Sequence, residues 1–210
     1  MARHSERKRR RREAASFETL TAERMATTGH AVARATDGRV VLVRGAIVGE
    51  RFEARWTRLR TAAQGELVKV LQASPMRRRP DCEYVDRCGG CDWMHIHDEA
   101  QLRLQQQSLE QLCQRAGLHP LPEVVAHRCG PPLRYRQRAR ISLRVNNGKV
   151  QLGYHRWRAH QLVNVSDCLV LAPALTQAFA GLRRALRGAA GEGEAALSLG
   201  TGGRVVVALR

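Results

Sequence analysis

Residues 82–95 read CEYVDRCGGCDWMH, which sets Cys82, Cys88 and Cys91 around a Gly89-Gly90 pair with His95 close behind. Thiolates are soft metal ligands, and two of them separated by two residues reach one metal centre from a tight turn. The paired glycines are expected to supply the backbone torsions of that turn and to let amide N–H groups approach sulfur. Three thiolates leave a coordination position open. Zinc could fill it with His95, giving a Cys3His site, unless that histidine is merely a packing residue. An iron–sulfur core would recruit a distant fourth cysteine, for which Cys113, Cys129 and Cys168 are the candidates. Cys113 falls in the apolar stripe of an expected helix, Cys129 precedes Gly-Pro-Pro, and Cys168 is expected to end a strand. Spacing alone leaves zinc and iron–sulfur both open.

A second pattern concerns charge. In LRYRQRARISLRV, Arg134, Arg136, Arg138, Arg140 and Arg144 occupy even positions, while Leu133, Tyr135, Ala139, Ile141, Leu143 and Val145 occupy odd ones. A strand alternates its side chains between two faces, so this stretch reads as an apolar face backed by a row of guanidiniums. Such a row can track phosphates or simply face solvent.

The elements that must position these groups follow from periodicity. Residues 1–16 form a basic tail with Arg3, Arg7, Lys8 and Arg9 to Arg12, expected to be disordered. Residues 17–74 read as short strands. AVARA and RVVLVR meet across Thr36-Asp37-Gly38, a hairpin signal; RFEARWTRLR sets Phe52, Ala54 and Trp56 on one face; GELVKVL closes the series. That pattern predicts a small OB-like β-barrel.

Residues 75–210 hold the cysteines, then the helical stretch DEAQLRLQQQSLEQLCQRAG. There Asp98 and Gln101 suggest a capping box, Gly117 the stop, and Leu102, Leu109, Leu112, Cys113 and Ala116 the apolar side. The arginine strand turns at Asn146-Asn147-Gly148 into KVQLGYH. HQLVNVSDCLVL is expected to run as a strand into Cys168, a helix opens at Pro173, and AALSL and RVVVAL end the chain as strands. The fold class is therefore α+β, a barrel followed by a cysteine-bearing domain with antiparallel strands. Gly200, Gly202 and Gly203 imitate a cofactor loop, but such a loop opens a helix, whereas Val205, Val206 and Val207 favour a strand.

The bulk composition narrows the partner. The 210-residue chain carries 36 basic against 19 acidic residues, a formal charge of +17, which favours a polyanion and nucleic acid before membrane. Lysine stands only at 8, 69 and 149, so the bias is towards arginine. Six clustered cysteines are too few for a disulfide scaffold, and no apolar run reaches membrane-span length. A reducing cytoplasm suits them.

With these residues in hand, the chain resembles the iron–sulfur branch of the RNA (uracil-5-)-methyltransferases, particularly the bacterial 23S ribosomal RNA type. The family pattern of a cysteine, five residues, Cys-Gly-Gly-Cys and a following histidine is matched by Cys82, Cys88, Gly89, Gly90, Cys91 and His95. LRYRQRARISL is similar to the family's arginine-rich strand, and LGYHRWRAHQLVNVSDC to the segment leading to its fourth cluster cysteine. Residues 17–74 resemble its N-terminal TRAM domain, an RNA-binding barrel.

The resemblance implies a 4Fe-4S cluster on Cys82, Cys88, Cys91 and Cys168. It also implies 23S rRNA as partner and S-adenosylmethionine as methyl donor of the full-length enzyme. Because methyl transfer to uracil C5 involves no net electron transfer, the implied role of the cluster is structural, holding the arginine row in register. In the family a cysteine thiolate attacks uracil C6 from a C-terminal Rossmann-like domain, on a base flipped from its stack. No segment up to Arg210 matches that domain, and neither Cys113 nor Cys129 matches the catalytic segment. The 210 residues alone are therefore expected to bind RNA without methylating it, working with a methyltransferase domain missing from this chain.

Overall fold

The computed structural model describes residues 15–58 and 63–210; the basic run through Arg12 lies outside them. Two compact units emerge, one made of residues up to Arg78 together with 95–126, the other of 79–94 with 127–210.

The first unit is built on a closed barrel. Its strands are β1 (Ser16–Met25), β2 (Ala31–Arg34), β3 (Val40–Arg44), β4 (Arg51–Arg58) and β5 (Ala63–Gln72), hydrogen-bonded in the order β1-β2-β3-β5-β4. Neighbours are antiparallel except β3 and β5, which run parallel from Val41 opposite Ala63 to Arg44 opposite Glu66. β4 returns against β1 and removes the open edge. Alternation does the sorting: Phe52, Ala54 and Trp56 point inward as the pattern predicts, joined by Leu20, Ala33, Val41 and Val43. Gly38 takes a φ of +82° in the Asp-Gly turn, which suits glycine.

A charged group is buried at one end of the barrel. Glu50 is fully buried and accepts from the amides of Ile47 at 2.9 Å and Ser74 at 3.2 Å. The Arg77 guanidinium grips both carboxylate oxygens, with Nη2 at 2.7 Å from Oε2, and donates also to the Gly45 carbonyl.

Helix α1 (Asp98–Arg115) belongs to the same unit. It ends at Gly117 as predicted, with φ +78°. Its start differs from expectation. His97 takes the capping position without a side-chain cap bond, and the Gln101 amide reaches back to the Ile96 carbonyl instead. Its buried side also differs: Ala100 and Leu104 are covered, while Leu109 and Leu112 are each 48% exposed.

The second unit is a five-stranded antiparallel sheet under one helix. Strands β6 (Arg138–Asn146), β7 (Lys149–His155), β8 (Leu162–Asn164), β9 (Gly191–Leu199) and β10 (Val205–Leu209) lie in the order β10-β9-β6-β7-β8. Asn147 at φ +49° and Gly148 at φ +73° make the predicted β6–β7 turn. β9 and β10 form a hairpin across Thr201–Gly203, so the glycines there turn a chain and do not open a helix. Helix α2 (Pro173–Ala185) lays Leu175, Phe179 and Leu182 onto Ile141, Leu143, Leu152, Ala195 and Leu197. Tyr84, Val165 and Leu171 complete this core, and Cys82, Cys88, Cys168 and Tyr154 pack on its edge. The core of this unit is thus the floor on which the cysteines rest.

Candidate metal centre

Cys82, Cys88, Cys91 and Cys168 line one cleft together with Tyr84, Gly90, Met94, Arg136, Tyr154 and Val165. Two stretches far apart in sequence supply the thiols, and the sheet core brings them together.

The first stretch is a chain of tight turns. The Cys88 amide donates to the Tyr84 carbonyl at 2.7 Å, and the Gly90 amide to the Cys88 Sγ at 3.4 Å. Glycine is required at 89 by space rather than by torsion. A Cβ there would stand 2.8 Å from the His155 oxygen and 2.9 Å from the Trp157 nitrogen, and neither Gly89 nor Gly90 has a positive φ. The expected torsional role gives way to close backbone approach.

The second stretch follows β8. Cys168 does not end a strand, because β8 stops at Asn164 and Cys168 sits in the loop before α2. That loop is braced from both sides. Tyr84 Oη lies 2.8 Å from Ser166 Oγ and accepts from the Ser166 amide at 3.2 Å. Arg134 donates through both guanidinium nitrogens to Asp167, each at 2.7 Å, and through Nη1 to the Cys168 carbonyl at 3.3 Å. That guanidinium holds the Asp167 carboxyl below its ordinary pKa.

The electrostatics of the bare thiols are unfavourable to charge. Burial pushes the Cys91 thiol up to about 11, reinforced by the nearby Cys168, Cys88 and Cys82. Burial likewise raises Cys82, with Cys168 adding to it. Cys82 and Cys91, desolvated in an apolar cleft, keep their protons unless a metal supplies positive charge. Arg136, on the wall, works in the opposite direction at Cys91. Tyr154 stands beside Cys168: burial raises its phenol, and the Cys168 sulfur, which the hydroxyl can donate to, raises it further.

Four cysteines lining one cleft are a donor set that either a single ion or a polynuclear core could use. Among the described residues no three His, Cys, Asp or Glu side chains form a group that could hold a metal ion. A lone zinc needs its thiolates converged at ~2.3 Å. An iron–sulfur core instead takes each thiolate at a different iron, so its ligands form a wider ring. His95 is buried, but it does not line the cleft; its carbonyl accepts from the Arg78 amide. Cys113 and Cys129 lie outside it as well.

The arginine row is shorter than its sequence pattern. Arg138, Arg140 and Arg144 share one face of β6, opposite the buried Ile141, Leu143 and Val145. Arg140 faces Glu194 at 3.7 Å, and Arg144 meets Glu192 at 2.8 Å. Arg136 precedes the strand and lines the cysteine cleft. Arg134 leaves the row altogether at φ +61°, turned onto Asp167.

Comparison with known proteins finds similar chains. Two proteins named 23S rRNA (uracil(1939)-C(5))-methyltransferase RlmD match it well. That of Halomonas elongata is 39% identical over 166 residues, 78% of this chain and 34% of the relative. That of Pseudomonas putida is 38% identical over 172 residues, 80% of this chain and 38% of the relative. Over about four fifths of its length the chain is similar to proteins named RNA uracil-C5 methyltransferases. A protein of Thermosynechococcus vestitus named an uncharacterized RNA methyltransferase is 34% identical over 80% of this chain and 38% of its own length. No protein-family model matches. The chain thus spans little more than a third of the length of these relatives.

Sequence reasoning on this methyltransferase relative found the four thiols and missed their braces. Tyr84, Ser166 and Asp167 carried no signal beyond standing near cysteines, and Arg134 carried a misleading one. A lone arginine in an alternating run looks like part of the strand until its backbone torsion is known.

Proposed function

We propose that this chain is the RNA-binding, 4Fe-4S-carrying part of an S-adenosylmethionine-dependent rRNA uracil-C5 methyltransferase. The observation that carries the reading is the convergence of Cys82, Cys88, Cys91 and Cys168 on one cleft. These thiolates would hold the cluster, with Tyr154 and Arg136 on the wall beside it. Bound, the cluster supplies a cross-link of iron–sulfur bonds between residues 82–91 and the loop at 168.

The residues around it do the rest. Tyr84 and Arg134 hold the two ligand segments, α2 and the sheet keep water from one side, and β6 presents Arg138, Arg140 and Arg144 to phosphates. The barrel, TRAM-like in its strand pattern, adds a second RNA surface. The names of the relatives support 23S rRNA as the partner. The net charge of +17 favours the same class of partner. Free cysteines throughout the chain fit a cytoplasmic setting. S-adenosylmethionine and the attack on uracil C6 are assigned to no residue of this chain, which alone is expected to bind RNA without methylating it.

Anaerobic purification followed by absorbance near ~400 nm and iron and sulfide analysis tests the reading. Iron and sulfide in equal amounts support it. A folded, colourless chain holding zinc would defeat it.

A further inference from the structure

Arg134 makes more directed contacts with the loop carrying Cys168 than any phosphate-facing residue requires. Its amide donates to the Leu169 carbonyl at 2.8 Å, its Nη1 to the Cys168 carbonyl at 3.3 Å, and its two terminal nitrogens to the two oxygens of Asp167 at 2.7 Å. Two residues on, the Arg136 amide donates to the Val170 carbonyl, and the Arg136 carbonyl accepts from Ala172. Residues 134–136 therefore staple 167–172 along its length. The backbone at Arg134 sits at φ +61°, a region that side chains other than glycine seldom enter. A strand conformation would have aimed the guanidinium along the row of Arg138 and Arg140. The left-handed turn aims it at Asp167 instead.

The bidentate geometry matters because the pair is partly open to water, with side-chain exposures of 35% and 46%. Such a pair adds little to global stability, but a planar fork on a planar carboxylate fixes orientation. What it orients is the residue next to Asp167.

We propose that Arg134 is the positioning residue for the fourth thiol ligand, holding Cys168 towards the other three, and does not serve as a phosphate contact. The assignment rests on the cluster reading above.

The test uses the whole chain purified anaerobically, as wild type, Arg134→Ala, Arg134→Lys, Asp167→Asn and the exchange Arg134→Asp with Asp167→Arg. Iron release to a chelator is followed by absorbance, the thermal midpoint of each metal-stripped chain is recorded, and RNA binding is measured across a salt series. Removing an outer partner of a metal ligand typically costs 10- to 100-fold in retention. The three single variants are expected to lose iron roughly tenfold faster than wild type. Their stripped forms should melt with the wild type, and the exchange should recover part of the retention. Lysine, which keeps the charge but not the fork, should behave like alanine. The salt slope of RNA binding should be unchanged.

Wild-type iron retention in Arg134→Lys and Asp167→Asn would overturn the assignment even if the alanine variant failed to fold. So would a salt slope reduced by about one unit in Arg134→Ala with iron held normally, the signature of a phosphate contact. A wild-type chain free of iron and sulfide would overturn the cluster reading itself, and this assignment with it.

Discussion

The Gly89 amide donates to the His155 carbonyl at 2.9 Å, which fastens the Cys-Gly-Gly-Cys turn to the end of β7. The contact is backbone on backbone, and neither side can rotate away. Gly89→Ala would press a methyl into the His155 oxygen and the Trp157 nitrogen. Its expected outcome is a chain that folds its sheet but holds markedly less iron after anaerobic purification. Gly90→Ala should lose less, because the added carbon would meet the flexible Cys88 Sγ at 3.4 Å. Iron per chain in the two variants ranks them.

In the proposed ligand set Cys168 is the member farthest along the chain, and its loss would break the cross-link. Cys168→Ser is expected to lose the visible absorbance and to weaken RNA binding, since the loop it anchors leads into the sheet that carries the arginines. Cys113→Ser and Cys129→Ser, on residues outside the cleft, should keep both. Unchanged iron and RNA affinity in Cys168→Ser would remove the ligand assignment.

Three arginines remain on the outer face of β6, and they are not equivalent. Arg140 is 65% exposed and only loosely paired to Glu194, whereas Arg144 is 32% exposed and bound to Glu192 at 2.8 Å. Exposed pairs of this kind are worth under ~1 kcal/mol, so phosphate can displace the carboxylate. Alanine at Arg138 or Arg140 should lower the slope of log affinity against log salt by about one unit each. Arg144→Ala should lower it less. Titrations at several salt concentrations measure the slopes directly.

Sequence periodicity carried the barrel far, because inward and outward positions alternate there without interruption: Phe52, Ala54 and Trp56 are buried and their neighbours are not. It singled out Cys82, Cys88, Cys91 and Cys168, which line one cleft. It failed where one residue departs from its element. Arg134 breaks the strand by a backbone torsion that no residue type announces. Cys168 sits beyond β8 because Ser166 and Asp167 bond to Tyr84 and Arg134, partners far away in sequence. Helix α1 was misread for a related reason. Its leucines suggested a buried stripe, yet Ala100 and Leu104 near its first turns are the residues covered.

The barrel has its own acid sensitivity, centred on Glu50. Burial alone would raise this carboxyl, but hydrogen bonds from Arg77 and the amides of Ile47 and Ser74 outweigh it, and its pKa is lowered from 4.5. A carboxyl depressed on folding contributes stability above its unfolded pKa and loses it as pH falls through the folded value. Denaturant melts should therefore show a stability loss below about pH 4.5 that is absent in Glu50→Gln. Arg77→Ala leaves a buried charge unpaired and should cost about 3–5 kcal/mol at neutral pH.

Tyr154 offers a test whose sign depends on what fills the cleft. Its hydroxyl is buried beside Cys168, whose sulfur it can donate to. Tyr154→Phe removes the oxygen and keeps the ring against Gly90. In the metal-stripped chain the substitution should be close to neutral, because a thiol sulfur is a weak acceptor. In the loaded chain the same hydroxyl has sulfur to donate to, and hydrogen bonds to cluster sulfurs help set reduction potential. There the substitution should speed iron loss and shift the potential to more negative values. Thermal midpoints of stripped and loaded forms, read side by side, separate the two effects. A phenylalanine variant that destabilises both forms equally would mean that Tyr154 serves only to fill space.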